Sequence, residues 1–458
     1  MEANENELAG LATEEQQNEG PLLTAQAMQS PPEPTPEPSP AGMQAADQRY
    51  QEGVSLYNKG QLEESRTAFQ AAVKLNPNSA DSYAYLGAIH YQRMDWDSAI
   101  ASYEAALKID SKRVGTHTDL AFALRQAGRR EEAQKEYRTA IWLKKDYIRA
   151  HRGYGDLLYE MGQLQAAAGE WVEALRLGDK DAHLHAELGD LYGRLGQWAQ
   201  AVAEYREAVR LGDNDYSVHC SLGHALEQAK QIDEAVREYR SAIGIQSDRA
   251  EAYIGLGRAL MAKKDSNEAV EQWRKAVRFE PNNLVAHQYL AEQYLDSKQY
   301  DKAGAEYRTM IGLNANDAEA HRGLAEVLLK RNNITQSISE YREAVRLNPS
   351  SGAIRAGLAG ALFEQKKIDE AISQYDEAVR FDPDNGQVRI QFARALAYKV
   401  RHKPPREDAQ PLVDATIKQF NEAMRLNAAA ARSELASFLL TRGDWKRAGR
   451  VLAKGSPD

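Results

Sequence analysis

The most restrictive feature of this sequence is that it matches itself at a shift of 34 residues. The match starts at Ala46 and keeps its phase to Asn385, which makes ten consecutive repeats. A fixed period of about 20–50 residues is typical of repeat architectures, in which each repeat is one supersecondary element that stacks on its neighbours. The 458 residues are therefore not a set of average globular domains. Places within a repeat are numbered from 1, so that place 1 of the first repeat is Ala46.

Four places hardly vary among the ten repeats. Place 8 holds only Gly or Ala, place 20 only Ala or Ser, and place 27 only Ala except for Met310. Place 24 is always aromatic, and its occupants are Phe69, Tyr103, Tyr137, Trp171, Tyr205, Tyr239, Trp273, Tyr307, Tyr341 and Tyr375. Places 20, 24 and 27 share one face of a helix. We therefore expect the ring at place 24 to enter the gap that place 8 leaves on a second helix.

Turn residues divide each repeat into two helices. Gly162 and Gly196 are followed by Gln in the middle of their repeats, and the repeats end in steps such as Asn348-Pro349 or Gly212-Asp213. Gly at a helix C-terminus and Pro just beyond it are the expected stop signals. Each repeat is thus predicted to be a helical hairpin.

In these respects the sequence resembles the tetratricopeptide repeat family, whose 34-residue helix-turn-helix unit has small residues at places 8, 20 and 27 and an aromatic residue at place 24. The resemblance implies an all-α fold, a right-handed α-solenoid of about twelve helix-turn-helix repeats with a disordered N-terminal tail. It does not single out a function, because the family includes co-chaperones, transport receptors, assembly factors and regulatory parts of enzymes.

The chain divides into four segments. Residues 1–45 form an acidic, Pro-rich tail that we expect to be disordered, because it has no aromatic residue and cannot bury a core. Residues 46–385 are the ten repeats, and residues 386–428 are an eleventh repeat with a loop inserted at about 401–414. Residues 429–458 form a shortened repeat, which we expect to cap the stack with a polar outer face.

Charge and cysteine content limit the kinds of partner and the cellular compartment that we expect for this protein. The net charge of −9 belongs almost wholly to residues 1–45, which contain eight Glu and neither Lys nor Arg. The rest of the chain has 58 basic and 59 acidic residues, without the basic excess that nucleic-acid binding requires. One cysteine, no signal-like start and no run of 18 apolar residues predict a cytoplasmic protein without membrane insertion.

No motif predicts catalysis, a cofactor or a metal site, so we expect a non-enzymatic protein. The nearest candidate is a series of histidines at place 4, namely His117, His151, His185, His219, His287 and His321. Successive repeats lie about 10 Å apart, too far for one zinc ion to bind two of these rings. We interpret each ring as packing between the helices of its own repeat. The only cysteine, Cys220, is interpreted as an inert small residue.

The family resemblance implies that the first helix of each repeat lines a concave groove through places 2, 5, 9, 12 and 13. The predicted groove residues are Tyr50, Val54, Tyr57, Tyr91, Arg149, Arg152, Asp156, Tyr159, Asp190, Arg194, His224, Arg258, Glu292, Arg322 and Glu326. The first repeats offer tyrosines and apolar residues, whereas the middle repeats offer charges of both signs. Mixed charges suit a protein or a polar peptide as the partner.

The favoured hypothesis is a non-catalytic scaffold or adaptor that binds partner segments in this groove. Two alternatives remain open. One is a regulatory or substrate-recruiting subunit of an enzyme whose catalytic part is a separate chain, and the other is a self-assembling structural repeat protein. A homo-oligomer is compatible with all three.

Overall fold

The computed structural model describes residues 39–402 and 410–453. Within these ranges the chain contains 24 α-helices and no β-strand. It forms two compact units, Met1–Lys145 and Asp146–Asp458. None of the helices in the described ranges is both long and apolar enough to span a membrane.

The N-terminal unit contains α1 (Pro40–Asn58), α2 (Leu62–Leu75), α3 (Ala80–Gln92), α4 (Trp96–Ile109), α5 (Val114–Gln126) and α6 (Arg130–Leu143). The C-terminal unit contains α7 (Ile148–Glu160), α8 (Leu164–Arg176), α9 (Ala182–Arg194), α10 (Trp198–Leu211), α11 (Tyr216–Gln228), α12 (Ile232–Ile245), α13 (Ala250–Ala262), α14 (Ser266–Phe279), α15 (Leu284–Asp296), α16 (Tyr300–Leu313), α17 (Ala318–Lys330), α18 (Ile334–Leu347), α19 (Gly352–Glu364), α20 (Ile368–Phe381), α21 (Gly386–His402), α22 (Gln410–Arg425), α23 (Ala431–Thr441) and α24 (Trp445–Ala453). Odd-numbered helices are the first helices of their repeats and even-numbered helices the second. The predicted helix-turn-helix repeats are confirmed.

The two helices of a repeat are joined by a turn in which place 15 has a left-handed backbone conformation. At Gly162 φ is 76°, and the next amide, that of Gln163, donates to the Leu158 carbonyl at 2.9 Å. This hydrogen bond closes the C-terminus of α7. Repeats 6 to 10 adopt the same conformation without glycine, at Lys230, Lys264, Lys298, Asn332 and Lys366.

The predicted fit between places 8 and 24 is confirmed. A Cβ atom added at Gly189 would lie 2.8 Å from the ring of Tyr205, and one at Gly155 would lie 2.3 Å from the ring of Trp171. Such distances are far below van der Waals contact, so the missing side chain makes room for the ring. Tyr205 is 4% exposed and Trp171 3%.

The same rings also reach the following repeat. A Cβ atom at Gly255, place 6 of its repeat, would lie 2.4 Å from Tyr239 of the preceding repeat. Where place 6 is Tyr289, its ring stacks on Trp273 at 5.0 Å between ring centroids. Each of these place-24 rings therefore packs against two first helices and joins two repeats.

The start of the first helix differs from the sequence prediction. Helix α1 begins at Pro40, and the Ser39 hydroxyl accepts a hydrogen bond of 3.2 Å from the Gly42 amide. Ser at the N-cap followed by Pro favours a helix start, so residues 40–45 belong to α1 and not to the tail. The rest of the predicted tail, residues 1–38, lies outside the described residues.

The extra residues of the eleventh repeat largely lengthen its helices. Helix α21 has 17 residues where α19 has 13, and α22 has 16 where α20 has 14. Of the predicted loop at 401–414, only residues 403–409 lie outside the described helices.

The last repeat also differs from expectation. Trp445 and Leu452 of α24 are 70% and 54% exposed, so the outer face of this repeat is not the polar cap that was predicted. Residues 454–458 lie outside the described residues.

Candidate functional site

The residues predicted to line a groove all lie on first helices. They are Tyr50, Val54 and Tyr57 on α1, Tyr91 on α3, Arg149, Arg152, Asp156 and Tyr159 on α7, Asp190 and Arg194 on α9, His224 on α11, Arg258 on α13, Glu292 on α15, and Arg322 and Glu326 on α17. The first four belong to the N-terminal unit and the others to the C-terminal unit.

In the N-terminal unit, three tyrosines form one aromatic cluster. The ring centroids of Tyr50 and Tyr57 lie 6.0 Å and 5.3 Å from that of Tyr85. Val54 packs against the same core, and the Tyr57 hydroxyl accepts a hydrogen bond of 2.7 Å from the Gln92 amide. These predicted residues therefore also hold the first two repeats together.

Tyr91, the fourth predicted residue of this unit, makes its ring contact elsewhere. Its ring meets Trp96 edge-on at 5.1 Å between centroids. Burial raises the pKa of Tyr50 and of Tyr57, so both hydroxyls stay protonated at neutral pH and are able to donate hydrogen bonds. This part of the chain offers aromatic area with polar tips.

In the C-terminal unit, two adjoining cavities open along α9, α11 and α13. The first, here called the α9 cavity, measures about 350 Å³ and is lined by Asp190, Gly193, Arg194, Trp198, Tyr205, Cys220, Ser221, His224, Ala225 and Glu251. The second, the α13 cavity, measures about 410 Å³ and is lined by Cys220, His224, Tyr239, Glu251, Ile254, Gly255, Arg258, Glu280, Asn283 and Val285. Cys220, His224 and Glu251 line both.

The α9 cavity has an aromatic wall and a polar wall. Trp198, the first residue of α10, meets the ring of His224 edge-on at 5.6 Å. On the polar wall, the Asp190 carboxylate accepts a hydrogen bond from the Tyr205 hydroxyl. Burial, together with this hydrogen bond, strongly raises the pKa of Tyr205 and keeps the phenol protonated.

Arg194 supplies the positive charge of the α9 cavity. Its guanidinium donates to the Tyr159 hydroxyl at 2.6 Å and lies 5.2 Å from the centre of the Tyr159 ring. Two predicted residues from successive repeats are thus in contact. The guanidinium is held by a neutral phenol and an aromatic face, which leaves its charge available to a ligand.

The α13 cavity is organised around an ion pair. The Arg258 guanidinium lies 2.8 Å from the Glu227 carboxylate, which also accepts a hydrogen bond of 3.2 Å from the Tyr239 hydroxyl. Arg258 Nη2 lies 3.4 Å from Nδ1 of His224. Burial and the charge of Arg258 lower the pKa of His224, so this imidazole is neutral at pH 7.

The wall shared by the two cavities contains the cysteine. Cys220 is 6% exposed, and burial raises the pKa of its thiol to about 11. Because the thiolate is the reactive form, this cysteine is unreactive at neutral pH, as expected from the sequence. Glu251 is 65% exposed and lies 3.4 Å from Arg249, so its carboxylate is accessible from both cavities.

The other predicted residues of the C-terminal unit lie outside these cavities and have partners of their own. Arg152 lies 2.5 Å from the Asp181 carboxylate, and Trp171 Nε1 donates to Asp156 at 3.0 Å. Further along the chain the contacts are Gln288 with Glu292 and Arg322 with Glu326.

The predicted role of the place-4 histidines is confirmed. In all six repeats that have this histidine, Nδ1 lies 2.6–2.7 Å from a carboxylate oxygen of Glu at place 23 of the same repeat; the pairs are His117–Glu136, His151–Glu170, His185–Glu204, His219–Glu238, His287–Glu306 and His321–Glu340. We call each such pair a rung. It ties the first helix of a repeat to the second. In the described part of the chain, no three His, Cys, Asp or Glu side chains are grouped as a metal site would need.

Where place 4 is not His, place 23 changes with it. Repeat 7 has Tyr253 with Gln272, and repeat 10 has Arg355 with Gln374. Arg355 Nη1 donates to the Gln374 amide oxygen at 3.1 Å, so the contact between the two helices is kept. The sequence signal for these rungs was the constant spacing of 19 residues, which the sequence reasoning did not use.

Sequence reasoning also missed much of the cavity walls. Trp198, Tyr205 and Tyr239 lie on second helices, where the family pattern predicts packing and not a groove. The available signal was place 6 of the following repeat. Small residues there, Ser221 and Gly255, leave room for the preceding ring to extend to the side of the first helices.

Comparison with known proteins places this chain among other repeat proteins. The sequence pattern of the tetratricopeptide repeat matches residues 50–113, 118–182, 186–250, 250–283, 289–350 and 322–386, together more than half of the chain. Among proteins of curated function, none matches the sequence.

Several solved structures are similar. YrrB, described as a TPR protein with an unusual peptide-binding site, is 22% identical, with a TM-score of 0.39 over 41% of this chain and 96% of its own. The C-terminal part of a TPR protein from Cytophaga hutchinsonii is 17% identical, with a TM-score of 0.46 over 53% and 99% of the two chains. Yeast Tom70 is 16% identical, with a TM-score of 0.40 over 90% and 91%. From the repeat pattern matched along more than half of its length, the chain belongs to the tetratricopeptide repeat family.

Proposed function

We propose that this protein is a non-catalytic scaffold that binds an extended segment of a partner protein along the first helices of its C-terminal unit. The α9 and α13 cavities hold two side chains of that segment. The observation that carries this proposal is that the two cavities adjoin and share one wall, formed by Cys220, His224 and Glu251.

Family and cavity size support the proposal. Tetratricopeptide repeats serve as protein-interaction scaffolds, in general without catalysis of their own. The cavities, of about 350 and 410 Å³, fall in the lower part of the range for ligand pockets. That size suits single side chains of a peptide better than a whole cofactor.

The spacing of the cavities predicts the register of the partner. Packed helices lie about 8–10 Å apart. An extended segment in the polyproline II conformation rises about 3.1 Å per residue with three residues per turn, so side chains three residues apart point to the same side and are separated by about 9 Å. We therefore expect the two anchoring side chains at positions i and i+3 of the partner segment.

The cavity walls predict the chemistry of these side chains. Trp198 and the neutral ring of His224 favour an apolar or aromatic side chain in the α9 cavity. In the α13 cavity Arg258 is paired with Glu227, and two further acidic side chains, Glu251 and Glu280, lie on the wall. Glu251 is largely exposed and lies 3.4 Å from Arg249, and Glu280 accepts hydrogen bonds from the Ala250 amide and the Asn283 side chain. A basic or amide side chain of the partner complements that wall.

The test is a selection from a displayed peptide library against the full chain, followed by titration of the selected peptides. Trp198→Ala and Glu251→Gln should each weaken binding by at least about tenfold, the loss expected for a central contact. Matched controls are Trp142→Ala, on an exposed tryptophan of the N-terminal unit, and Glu268→Gln, whose partner Arg240 is on a second helix. Equal effects in the control and cavity variants would contradict the proposal.

Affinity purification, together with the peptide library, separates the scaffold from the two alternative functions. Affinity purification from cells that recovers one stable enzyme would favour a regulatory subunit, and recovery of the chain alone would favour a structural array. Peptides that share an i, i+3 pattern of apolar and basic residues would support the scaffold.

A further inference from the structure

The exposed sides of the second helices in the C-terminal unit carry a row of ion pairs between successive repeats. At three junctions the arginine at place 25 lies within 3.0 Å of a glutamate at place 19 of the following repeat; the pairs are Arg206–Glu234, Arg240–Glu268 and Arg342–Glu370. They join α10 to α12, α12 to α14 and α18 to α20. Each of these arginines is paired with a carboxylate of the next repeat.

The row is broken between α14 and α16. Arg274 stands at place 25 of repeat 7, but place 19 of repeat 8 is Lys302. Both cations lie beside Tyr294 of repeat 8. The Lys302 ammonium is 5.3 Å from the centre of the Tyr294 ring, and burial raises the pKa of Tyr294 while the nearby charge of Arg274 opposes that rise. Two cations therefore meet where other junctions pair a cation with a carboxylate.

A second kind of ion pair is missing from the same side of α14. On three other second helices the arginine at place 29 pairs with a glutamate at place 26; the pairs are Glu173–Arg176, Glu207–Arg210 and Glu343–Arg346. In repeat 7 these two places hold Lys275 and Arg278. Since Arg278 follows Arg274 by four residues, the two arginines are neighbours on the helix surface. The cations of places 25, 26 and 29 thus adjoin each other.

These side chains form a surface that we call the basic face, defined as Arg274, Lys275, Arg278 and Lys302. All four residues are exposed, and Lys275, Arg278 and Lys302 form no ion pair within the part of the chain that the structure describes. Two carboxylates lie close to it. Glu271 is 2.8 Å from Arg274, and Glu306 is 2.6 Å from His287. The basic face therefore keeps an excess of positive charge.

We propose that the basic face binds an acidic segment of a partner protein. One carboxylate of the segment pairs with Arg274 and Lys302, where other junctions have a glutamate at place 19. A second carboxylate pairs with Lys275 and Arg278, where other helices have a glutamate at place 26. We assign carboxylates as the ligand because carboxylates of this chain bind the arginines at the same places of other repeats.

The spacing of the cations predicts the pattern of the partner. Arg274 and Arg278 are separated by about 6 Å along α14. In an extended segment, side chains two residues apart point to the same side and lie about 6.6 Å apart. Acidic residues at alternate positions therefore match the basic face. This surface lies on second helices and is separate from the α9 and α13 cavities, so its test does not depend on them.

The probe is a labelled peptide of alternating Glu and Ser, about 12 residues long, titrated against the full chain by fluorescence anisotropy at about 50 mM salt. We expect saturable binding with a Kd below about 1 mM. The affinity should fall by at least about tenfold at roughly 500 mM salt, because exposed charges are screened. A peptide of alternating Gln and Ser should not bind.

The decisive variant is Lys275→Glu with Lys302→Glu, which supplies both missing glutamates from the chain itself. Because it restores pairs that other repeats have, it should keep or slightly raise the melting temperature. Its affinity for the acidic peptide should fall by at least about tenfold. The matched control is Lys230→Glu with Lys264→Glu, which changes the net charge equally at exposed turn residues of the same unit and should retain most of the affinity.

A milder substitution gives a second readout. Arg278→Gln removes one charge without adding another and should weaken binding by at least about threefold. No binding of the acidic peptide at about 1 mM, unchanged binding by Arg278→Gln, or equal losses in the two double variants would overturn the proposal. Tighter binding of a single-stranded oligonucleotide or of anionic vesicles than of the peptide would assign the basic face to phosphate groups and overturn the acidic segment as its ligand.

Discussion

In repeat 3, Nδ1 of His117 lies 2.6 Å from the Glu136 carboxylate, and Nε2 of the same ring lies 3.0 Å from the Ser111 carbonyl oxygen. Both partners are hydrogen-bond acceptors, so both ring nitrogens are satisfied only when both are protonated. Burial alone would lower the pKa of His117. The hydrogen bonds to Glu136 and to the Ser111 carbonyl outweigh burial, and the pKa is raised.

This rung predicts a pH dependence of stability. A histidine whose pKa is raised by folding stabilises the protein fully below the pKa of the unfolded chain, about 6.5, and loses that contribution as pH rises through the folded value. The double substitution His117→Tyr and Glu136→Gln gives the kind of pair found in repeat 7, and it should remove this pH-dependent contribution to stability. The difference in unfolding free energy between the unaltered protein and this variant, measured by urea denaturation, should shrink from about pH 6 to pH 8. For Tyr253→Phe, which removes no group titrating in this range, the difference should stay flat.

The contact between Gly255 and Tyr239 predicts that a methyl group at place 6 is destabilising. A Cβ atom there would lie 2.4 Å from the ring, which is packed on its other side against Gly223 and held by the hydrogen bond from its hydroxyl to Glu227. Gly255→Ala should therefore lower the unfolding free energy by about 1–3 kcal/mol, as overpacking usually does. The matched control is Gly244→Ala on α12, where a Cβ atom meets nothing within 4 Å. That change should be neutral or stabilising by up to about 1 kcal/mol. Equal effects in thermal or urea denaturation would contradict the packing described.

The turns of the later repeats predict a stabilising substitution. Lys264 has φ of 67°, a left-handed conformation that costs an L-residue with a Cβ atom about 1–2 kcal/mol. Lys264→Gly should raise the unfolding free energy by about 0.5–1 kcal/mol, because part of the gain is offset by the greater freedom of Gly in the unfolded chain. Lys264→Ala keeps the strain and should bring no gain. If Ala stabilises as much as Gly, removal of the lysine side chain is responsible, and not the backbone.

The tyrosines of the first two repeats are predicted to contribute to partner binding. We expect Tyr57→Ala with Tyr91→Ala to weaken a partner that contacts the N-terminal unit by at least about tenfold, equal to roughly 1.4 kcal/mol. Because Tyr57 also packs on Tyr85, circular dichroism must show unchanged helix content for the comparison to hold. Reversing the charges of Arg149 and Arg152 should mainly slow association. Unaltered affinity in the double tyrosine variant would move the binding surface away from this cluster.

Much of the fold was readable from the 34-residue pattern. The fit of the place-24 ring against place 8 follows from helical periodicity within one repeat, as Gly189 and Tyr205 show. The placement of the histidines between the helices of their own repeat was predicted for the same reason. These are contacts between residues whose separation in sequence is short and constant.

The start of α1 and the greater length of α21 were not predicted, because these helix ends are set by local capping and not by the 34-residue repeat. The two cavities were only half predicted. His224 and Arg258 stand at groove places, but the aromatic walls come from Trp198, Tyr205 and Tyr239 on second helices. A pattern that assigns each helix one role does not show that a ring from one repeat extends past place 6 of the next.

The sequence by itself determined that this chain forms helical hairpins with a period of 34 residues and which side chains pack inside each hairpin, because local periodicity acts within about 34 residues. Only the tertiary structure decided what the hairpins form together. The shared wall at Cys220, His224 and Glu251 and the exposed Trp445 and Leu452 depend on which helix follows which in space, because burial of a side chain is set by its neighbours in the stack and not by its place in the repeat.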